Sequence, residues 1–186
     1  YAKQRAAGLS ATDGPEGQPL SGRCLMFGAA APSLTPMMMN PNLQIVQTAN
    51  YLMIMTEMIH DARIVPLDSR PHLAKRVPQW LGSSRGQWDG DTLVIKTENF
   101  NGHTAFSENQ GATENMTVVE RFTRLDVDVL RYEFTVEDSA TWARPWTAMI
   151  TMTKSETPIY EYACHEGNYG MTNILSGARV QEGIGR

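Results

Sequence analysis

The chain has 186 residues, of which 41% are hydrophobic and 19% are charged, and this is enough apolar material for the core of one globular domain. Its net charge of −4, with 16 scattered Lys and Arg residues, argues against a nucleic-acid-binding protein, because such proteins normally carry a basic face. No stretch of the printed sequence approaches the roughly 18 consecutive apolar residues of a membrane-spanning helix.

The first forty residues differ in composition from the rest of the chain. Glycine, proline and alanine dominate residues 8–41, and a methionine triplet occupies residues 37–39. This triplet predicts either an adaptable binding surface or a cover for the edge of a core. We predict an irregular N-terminal extension over residues 1–41 and one β domain over residues 42–186. Because the first residue is Tyr1, we expect a chain that was processed or that is a piece of a longer protein.

From residue 42 onward, short β-rich runs alternate with turn residues. The run at residues 51–59 is apolar on both faces, which is typical of a central strand. Asp89-Gly90 is a strong hairpin signal, whereas the prolines and glycines of residues 68–86 indicate a loop. Tyr132, Phe134 and Val136 alternate with polar residues, which predicts one buried face. The predicted strands are residues 43–48, 51–59, 64–66, 92–97, 116–124, 129–136, 146–153 and 159–163, and a short helix is predicted at residues 173–179.

Strands joined by short turns, with almost no helical periodicity, indicate a mainly β fold. The consecutive hairpins favour an antiparallel up-and-down barrel of the lipocalin (calycin) kind, and a β-sandwich is the alternative.

The two cysteines, Cys24 and Cys164, lie near opposite ends of the chain. Neither belongs to a Cys-x-x-Cys pair, so a zinc or redox motif is poorly supported. A disulfide is favoured, with two free thiols and, less so, metal ligation as the alternatives. A bridge over this span would restrict the unfolded chain by roughly 4–5 kcal/mol in the entropy model. It would also indicate a protein that works outside the cytoplasm.

Two histidines are followed directly by a carboxylate: His60 by Asp61, and His165 by Glu166. If the corresponding strand ends meet at one barrel mouth, these four residues could form an acid–base site or hold a metal. The alternative is that each pair is a hydrogen-bonded structural corner. Tyr169 stands where a His-Glu-x-x-His zinc motif needs its second histidine, so we predict no defined metal ligand set.

Glu57 interrupts an apolar run, where an unpaired carboxylate would be costly. We expect it either to pair with Arg121 or Arg63 or to face a ligand inside a pocket. Tyr162, close to His165, is a further candidate for ligand contact.

The run from Trp142 to Trp146 contains Arg144 and a proline between the two indoles. Such a unit could stack an aromatic or sugar ligand, with Arg144 over a ring. The alternative is a structural plug at the open end of the barrel.

Several blocks of the sequence together resemble a large group of exported bacterial proteins that lack an assigned activity. They are EMIHDAR (residues 57–63), WLGSSRG (80–86), WDGDTLV (88–94), ERFTR (120–124) and YEYACHEGNY (160–169). The resemblance implies a periplasmic or secreted protein with a longer N-terminal part, and it implies no reaction.

Three function hypotheses follow. The first is an exported β domain that binds a small apolar or aromatic ligand, or that serves as an accessory subunit of an envelope assembly with protein partners. The second is an enzyme, such as a lyase, isomerase or hydrolase, that uses the His–carboxylate residues. The third is a metal-binding module. The sequence identifies no cofactor.

Overall fold

The structure is a computed structural model that describes residues 8–27, 35, 41–103, 105–107, 110–111 and 113–183. Within these residues the chain forms ten strands, one α-helix and short 3₁₀ turns at Pro15–Gly17 and Met58–His60. The elements are β1 (Leu43–Gln47), β2 (Tyr51–Thr56), β3 (Ala62–Pro66), β4 (Ser83–Asp89), β5 (Thr92–Glu98), β6 (Ala105–Ser107), β7 (Gln110–Gly111), β8 (Thr117–Asp126), β9 (Val129–Glu137), β10 (Trp146–Thr153) and α1 (Tyr169–Gln181). The methionine triplet at residues 37–39 lies outside the described residues.

The strands pair antiparallel in two main sheets. The small sheet has the order β1-β2-β3, the large sheet has the order β10-β9-β8-β5-β4, and β6 pairs with β7 separately. The prediction of a mainly β, antiparallel fold is therefore confirmed, and β2 is the central strand of its sheet as expected. The pairings among the described strands keep the two sheets separate and do not close them into a barrel.

The hairpin between β4 and β5 turns at the dipeptide that the sequence indicated. Gly90 adopts φ +59, a left-handed conformation that favours glycine, and Asp89 pairs with Thr92 across the turn. The predicted turn at Asp89-Gly90 is confirmed.

The alternation along β9 also has the predicted result. Tyr132, Phe134 and Val136 are buried with at most 2% of their surface exposed. Arg131 and Glu133 lie on the other face and are more exposed. Because successive side chains of a strand point to opposite faces, β9 contributes these three side chains of one face to the core.

Both sheets contribute to one hydrophobic core. Leu52, Ile54 and Val65 of the small sheet pack with residues of the large sheet and with neighbouring loops. The other members of this buried cluster are Leu93, Ile95, Phe100, Met116, Val118, Phe122, Tyr132, Phe134 and Val136.

A buried ion pair connects the two sheets inside this core. The Arg63 guanidinium of β3 donates two hydrogen bonds, of 2.5 and 2.8 Å, to the carboxylate of Glu120 in β8. The hydroxyl of Tyr132 donates a third to the same carboxylate at 2.9 Å. Arg63 is 7% exposed and Glu120 is fully buried. Burial by itself lowers the pKa of Arg63, but the charge of Glu120 and its hydrogen bonds outweigh that effect, so the pKa of Arg63 is raised.

This pairing corrects one expectation for Glu57. Arg63 binds Glu120, and Arg121 lies 3.9 Å from Asp89, so neither arginine forms the predicted salt bridge with Glu57. The Glu57 carboxylate accepts a hydrogen bond of 2.8 Å from the Asn42 side chain.

Two predicted boundaries in the first half of the chain were wrong. The strand at residues 51–59 ends at Thr56, because the Thr56 hydroxyl donates to the Met58 carbonyl and the chain turns there. Residues 83–86, predicted as the end of a loop, instead begin β4 (Ser83–Asp89). Ser-Ser-Arg-Gly has a weak intrinsic preference for strand, and pairing with β5 along its whole length overrides that preference.

Two predictions near the C-terminus need a similar correction. Residues 159–163 do not form a strand. An alternating pattern becomes a strand only when it pairs with a neighbour, and β10 of the described large sheet pairs with β9 and not with residues 159–163. The predicted helix exists but is longer, running from Tyr169 to Gln181. Asn168 caps its first turn by accepting a hydrogen bond from the Met171 amide.

The predicted disulfide between Cys24 and Cys164 is confirmed, and it joins positions 140 residues apart. Further contacts between the chain ends support it. The Asn168 side chain donates to the Gly22 carbonyl at 3.0 Å, and Arg179 donates to the carbonyls of residues 12 and 13. The described part of the predicted extension, residues 8–27, is therefore fastened to the segment that contains α1.

Candidate functional site

The described strands of the two sheets approach each other closely at one side of the shared core and less closely at the other. β3 lies close beside β4, whereas β1 and β10, the opposite edges of the two sheets, make no comparable approach among the described strands. Gly86 in β4 permits the close side, because a Cβ there would lie 2.7 Å from Leu67 and 3.1 Å from Val65. Apolar side chains of β1, β10 and the turn before β10 pack against the core but are only partly buried. We call this set the tryptophan cleft: Leu43, Ile45, Trp142, Trp146, Ala148, Ile150 and Met152.

The cleft is visible in the burial of successive strands of the large sheet. Three core-facing side chains of β9, those of Tyr132, Phe134 and Val136, are buried, whereas every core-facing side chain of β10 is only partly buried. These β10 residues are Trp146, Ala148, Ile150 and Met152. The edge strand therefore presents an apolar surface that the small sheet does not cover.

Two indoles form one end of the cleft. The Trp142 and Trp146 rings meet edge to face, with centroids 5.7 Å apart. Trp146 makes a similar contact with the buried ring of Phe134 at 5.7 Å. Such contacts add about 0.5–1.5 kcal/mol per pair beyond burial, so the core holds the indoles in place while part of their surface remains accessible.

Asp138 positions Trp142. Its backbone carbonyl accepts from the Trp142 amide at 2.8 Å. Its carboxylate, only 2% exposed, accepts four hydrogen bonds from Thr113, Ala140 and Thr141. Burial raises the pKa of Asp138, but these hydrogen bonds together outweigh burial and lower it.

The other predicted ligand-binding residues lie in less enclosed surroundings. Arg144 is exposed between the indoles, and the cation–π contact seen among the described residues is instead Arg70 over Tyr51. Arg121 is exposed on β8 near Asp89. Tyr162 is half-buried two residues before the disulfide. The predicted indoles are therefore brought together, whereas Arg144 is not placed over a ring.

The EMIHDAR block forms a strained corner between β2 and β3. Ile59 and His60 have φ values of +60 and +49, and a left-handed β-branched residue is a true outlier. Backbone bonds hold the corner: the Thr56 amide donates to the Asp61 carbonyl, and the Glu57 amide donates to the Asn42 carbonyl. Strained backbone of this kind costs about 1–3 kcal/mol per residue and clusters at functional sites.

Asp61 carries a polar atom that this corner leaves without a partner. Its Oδ2 is buried and has no hydrogen-bond partner among the described residues. Burial raises the pKa of Asp61, and the neighbouring charge of His60 opposes this to a smaller extent. His60 itself is exposed, so this pair combines an accessible imidazole with a carboxyl that resists ionisation.

The second His–carboxylate pair lies elsewhere. His165 and Glu166 are exposed in the turn that follows Cys164 and leads to α1. No hydrogen bond or ion pair connects them to His60 or Asp61 within the described part of the chain, and no group of three potential metal ligands occurs there. The expectation that both pairs meet at one barrel mouth is not supported.

A basic pocket was missed by sequence reasoning. It has a volume of about 310 Å³ and lies on the outer face of the large sheet, where the loop after β3 crosses β4 and β5. Its charged side chains include Arg70, Arg85 and Lys96. They are dispersed in sequence and come together only through the β4–β5 pairing of Arg85 with Lys96, so no local motif could reveal them.

Comparisons with known proteins provide no identification. No family model matches the chain, and neither a curated protein nor a solved structure matches it. In the part of the chain that the structure describes, no helix is long and apolar enough to cross a membrane.

Proposed function

We propose that this chain is an exported β domain that binds a small apolar or aromatic ligand in the tryptophan cleft. One observation carries the proposal: the core-facing apolar side chains of β10 are only partly buried, whereas Tyr132, Phe134 and Val136 of the neighbouring β9 are buried. Small-molecule sites are typically apolar, aromatic and largely preformed. An aromatic ligand would add to the edge-to-face stack of Trp142 and Trp146 and would cover the exposed parts of Ile150 and Met152.

The disulfide supports the export part of the proposal. Bridges such as Cys24–Cys164 persist in oxidising compartments and are rare in the cytoplasm. The periplasm or the extracellular space is therefore the compartment that we propose. An accessory role in an envelope assembly fits the same compartment, with protein partners in place of, or in addition to, the small ligand.

The test uses the neutral dye N-phenyl-1-naphthylamine, whose fluorescence increases in apolar surroundings. We expect saturable binding by the oxidised chain. Trp146→Ala should weaken it about tenfold or more, because a buried aromatic anchor commonly contributes more than 1.4 kcal/mol. Ala148→Phe, which fills the floor of the cleft without removing a core contact, should abolish binding while the far-UV circular dichroism stays unchanged.

Trp88→Ala is the control, because Trp88 is a more exposed tryptophan (51%) on β4, at the opposite edge of the large sheet. It should bind the dye as the wild type does. Equal weakening by Trp88→Ala and Trp146→Ala would contradict the proposal, as would undiminished binding by Ala148→Phe.

A second candidate function is acid–base catalysis at the β2–β3 corner. The unpartnered, buried Oδ2 of Asp61 favours it, because a carboxyl whose pKa is raised by burial holds its proton to higher pH than an ordinary aspartate and is suited to proton transfer. In this reading His60 would be the accessible partner of Asp61.

Stability measurements distinguish a functional Asp61 from a structural one. Because its folded-state pKa is raised, the folded protein binds more protons than the unfolded chain, and stability falls as the pH rises through that pKa. Asp61→Asn should therefore be at least as stable as wild type at pH 7. The control, Asp91→Asn in the exposed hairpin, should change stability little. A clear loss of stability in Asp61→Asn would show a structural carboxylate.

A further inference from the structure

The basic pocket is a second concave site, separate from the tryptophan cleft. Its volume of about 310 Å³ is at the lower end of the roughly 300–1,000 Å³ range of small-molecule sites. It opens on the outer face of β4 and β5, whereas the cleft faces the core side of β10. A positive pocket is unexpected on a chain whose net charge is −4.

The cations of this pocket differ in whether a carboxylate already neutralises them. Arg70 forms a two-pronged ion pair with Asp68. Lys96 binds Glu98 at 2.8 Å. Arg85 has no carboxylate within 4 Å in the described residues, and it is the cation that is left for a ligand.

Arg85 is nevertheless held firmly. Its Nε donates to the carbonyls of Arg70 and Pro71, its Nη1 to the Ser84 carbonyl at 2.6 Å, and its Nη2 to the Pro71 carbonyl at 2.6 Å. A guanidinium has five N–H groups, and these contacts use three of them. One N–H on each terminal nitrogen remains, and this pair suits the two oxygens of an oxyanion.

The electrostatic surroundings of Arg85 also favour an anion. Burial lowers the pKa of Arg85, and the positive charge of Arg70 lowers it further, outweighing the opposite effect of Asp68. A bound anion would relieve both effects. His72 lines the same pocket. Its Nδ1 donates to the Ser83 carbonyl at 2.8 Å, so Nε2 of the neutral ring is an acceptor and suits a hydroxyl or N–H group of the ligand, not its oxyanion.

We propose that the basic pocket binds a small molecule through a carboxylate, sulfate or phosphate group, with Arg85 as its main contact and Lys96 at its rim. The oxyanion accepts hydrogen bonds from the two remaining N–H groups of Arg85. Lys96 supplies additional long-range attraction, because its own ion pair with Glu98 is exposed and therefore weak.

Inorganic phosphate and acetate are the probes, titrated separately into the ¹⁵N-labelled, oxidised full chain at low ionic strength. We expect saturable shifts of the amide signals of Arg85, Lys96 and His72. Tighter binding of phosphate would indicate a phosphoryl ligand, and tighter binding of acetate would indicate a carboxylate ligand. Arg85→Lys keeps the positive charge but lacks the two parallel N–H groups of the guanidinium, so it should weaken binding about tenfold or more. Lys96→Gln should weaken it a few-fold.

Lys154→Gln is the matched control, since Lys154 is likewise an exposed lysine paired with a carboxylate, that of Asp128, directly after β10. It should leave the affinity unchanged. If Lys154→Gln weakens binding as much as Lys96→Gln, or if phosphate and acetate cause no saturable shifts, the proposal is wrong. The neutral dye used for the tryptophan cleft has no negatively charged group and does not test the basic pocket, so either proposal can fail without the other.

Discussion

The buried ion pair between Arg63 and Glu120 offers a sharp test of how the two sheets are held together. In Arg63→Met, a side chain of similar length but without charge replaces the guanidinium. Glu120, which is fully buried, then loses both of its hydrogen bonds to Arg63 and keeps the one from Tyr132. A buried carboxylate without its countercharge is strongly destabilising.

The expected cost is about 3–5 kcal/mol, the usual range when one partner of a buried ion pair is removed. A domain of this kind has a total unfolding free energy of about 5–15 kcal/mol, so the single variant should lose a large part of its stability. Urea unfolding of the oxidised protein, followed by tryptophan fluorescence and far-UV circular dichroism, measures the difference.

The control replaces the whole polar cluster. The triple variant Arg63→Met, Glu120→Leu and Tyr132→Phe leaves no buried charge, and apolar replacements of this kind are often neutral or stabilising. It should recover most of the stability that the single variant loses. A loss below about 1 kcal/mol in Arg63→Met, or a triple variant that is no better than the single one, would refute the reasoning.

Two further stability predictions concern single residues. Gly82→Ala should cost about 2–5 kcal/mol, measured by thermal unfolding, because Gly82 has φ +71 and an added Cβ would lie 2.7 Å from the buried Phe100 ring. Asp138→Asn should cost about 2–4 kcal/mol at pH 7, because an amide cannot accept all four hydrogen bonds of the carboxylate. The lowered pKa of Asp138 stabilises the fold above the usual Asp range, and this stability is lost as the pH falls through the lowered pKa. The difference from wild type should therefore shrink between pH 7 and pH 3 in urea unfolding.

For each of these two predictions, one experimental result would contradict it. Gly90→Ala shares the positive φ but has open space around the added Cβ, so it should cost less than Gly82→Ala, and an equal cost would show that crowding by Phe100 is unimportant. A pH-independent difference between Asp138→Asn and wild type would show that the carboxylate contributes no charge-dependent stability.

The features that sequence reasoning predicted correctly depend on short-range chemistry. Asp89-Gly90 specifies its turn because Gly90 must adopt a positive φ, and the alternation around Tyr132 and Phe134 specifies a buried face because strand side chains alternate. The disulfide followed from a simple count of two cysteines. The two indoles of the candidate cleft were also predicted, because they lie four residues apart beside a predicted strand.

The features that sequence reasoning missed depend on pairing between residues that are far apart in the chain. Residues 83–89 lack strand-forming side chains but pair with β5 along their whole length, whereas residues 159–163 alternate convincingly and form no strand. Arg85 meets Arg70 only because a loop crosses the sheet. Arg63 was considered a partner for Glu57, yet its pairing with Glu120 depends on how the two sheets face each other.

The Cys24–Cys164 bridge also determines what happens when the chain is cut. It closes the intervening residues into a covalent ring, since the two cysteines are 140 positions apart. A protease that cleaves once inside this ring, for example in the exposed loop at residues 73–78, leaves both fragments attached to each other. On a non-reducing gel the nicked protein would run as one species, and only reduction would separate its two pieces.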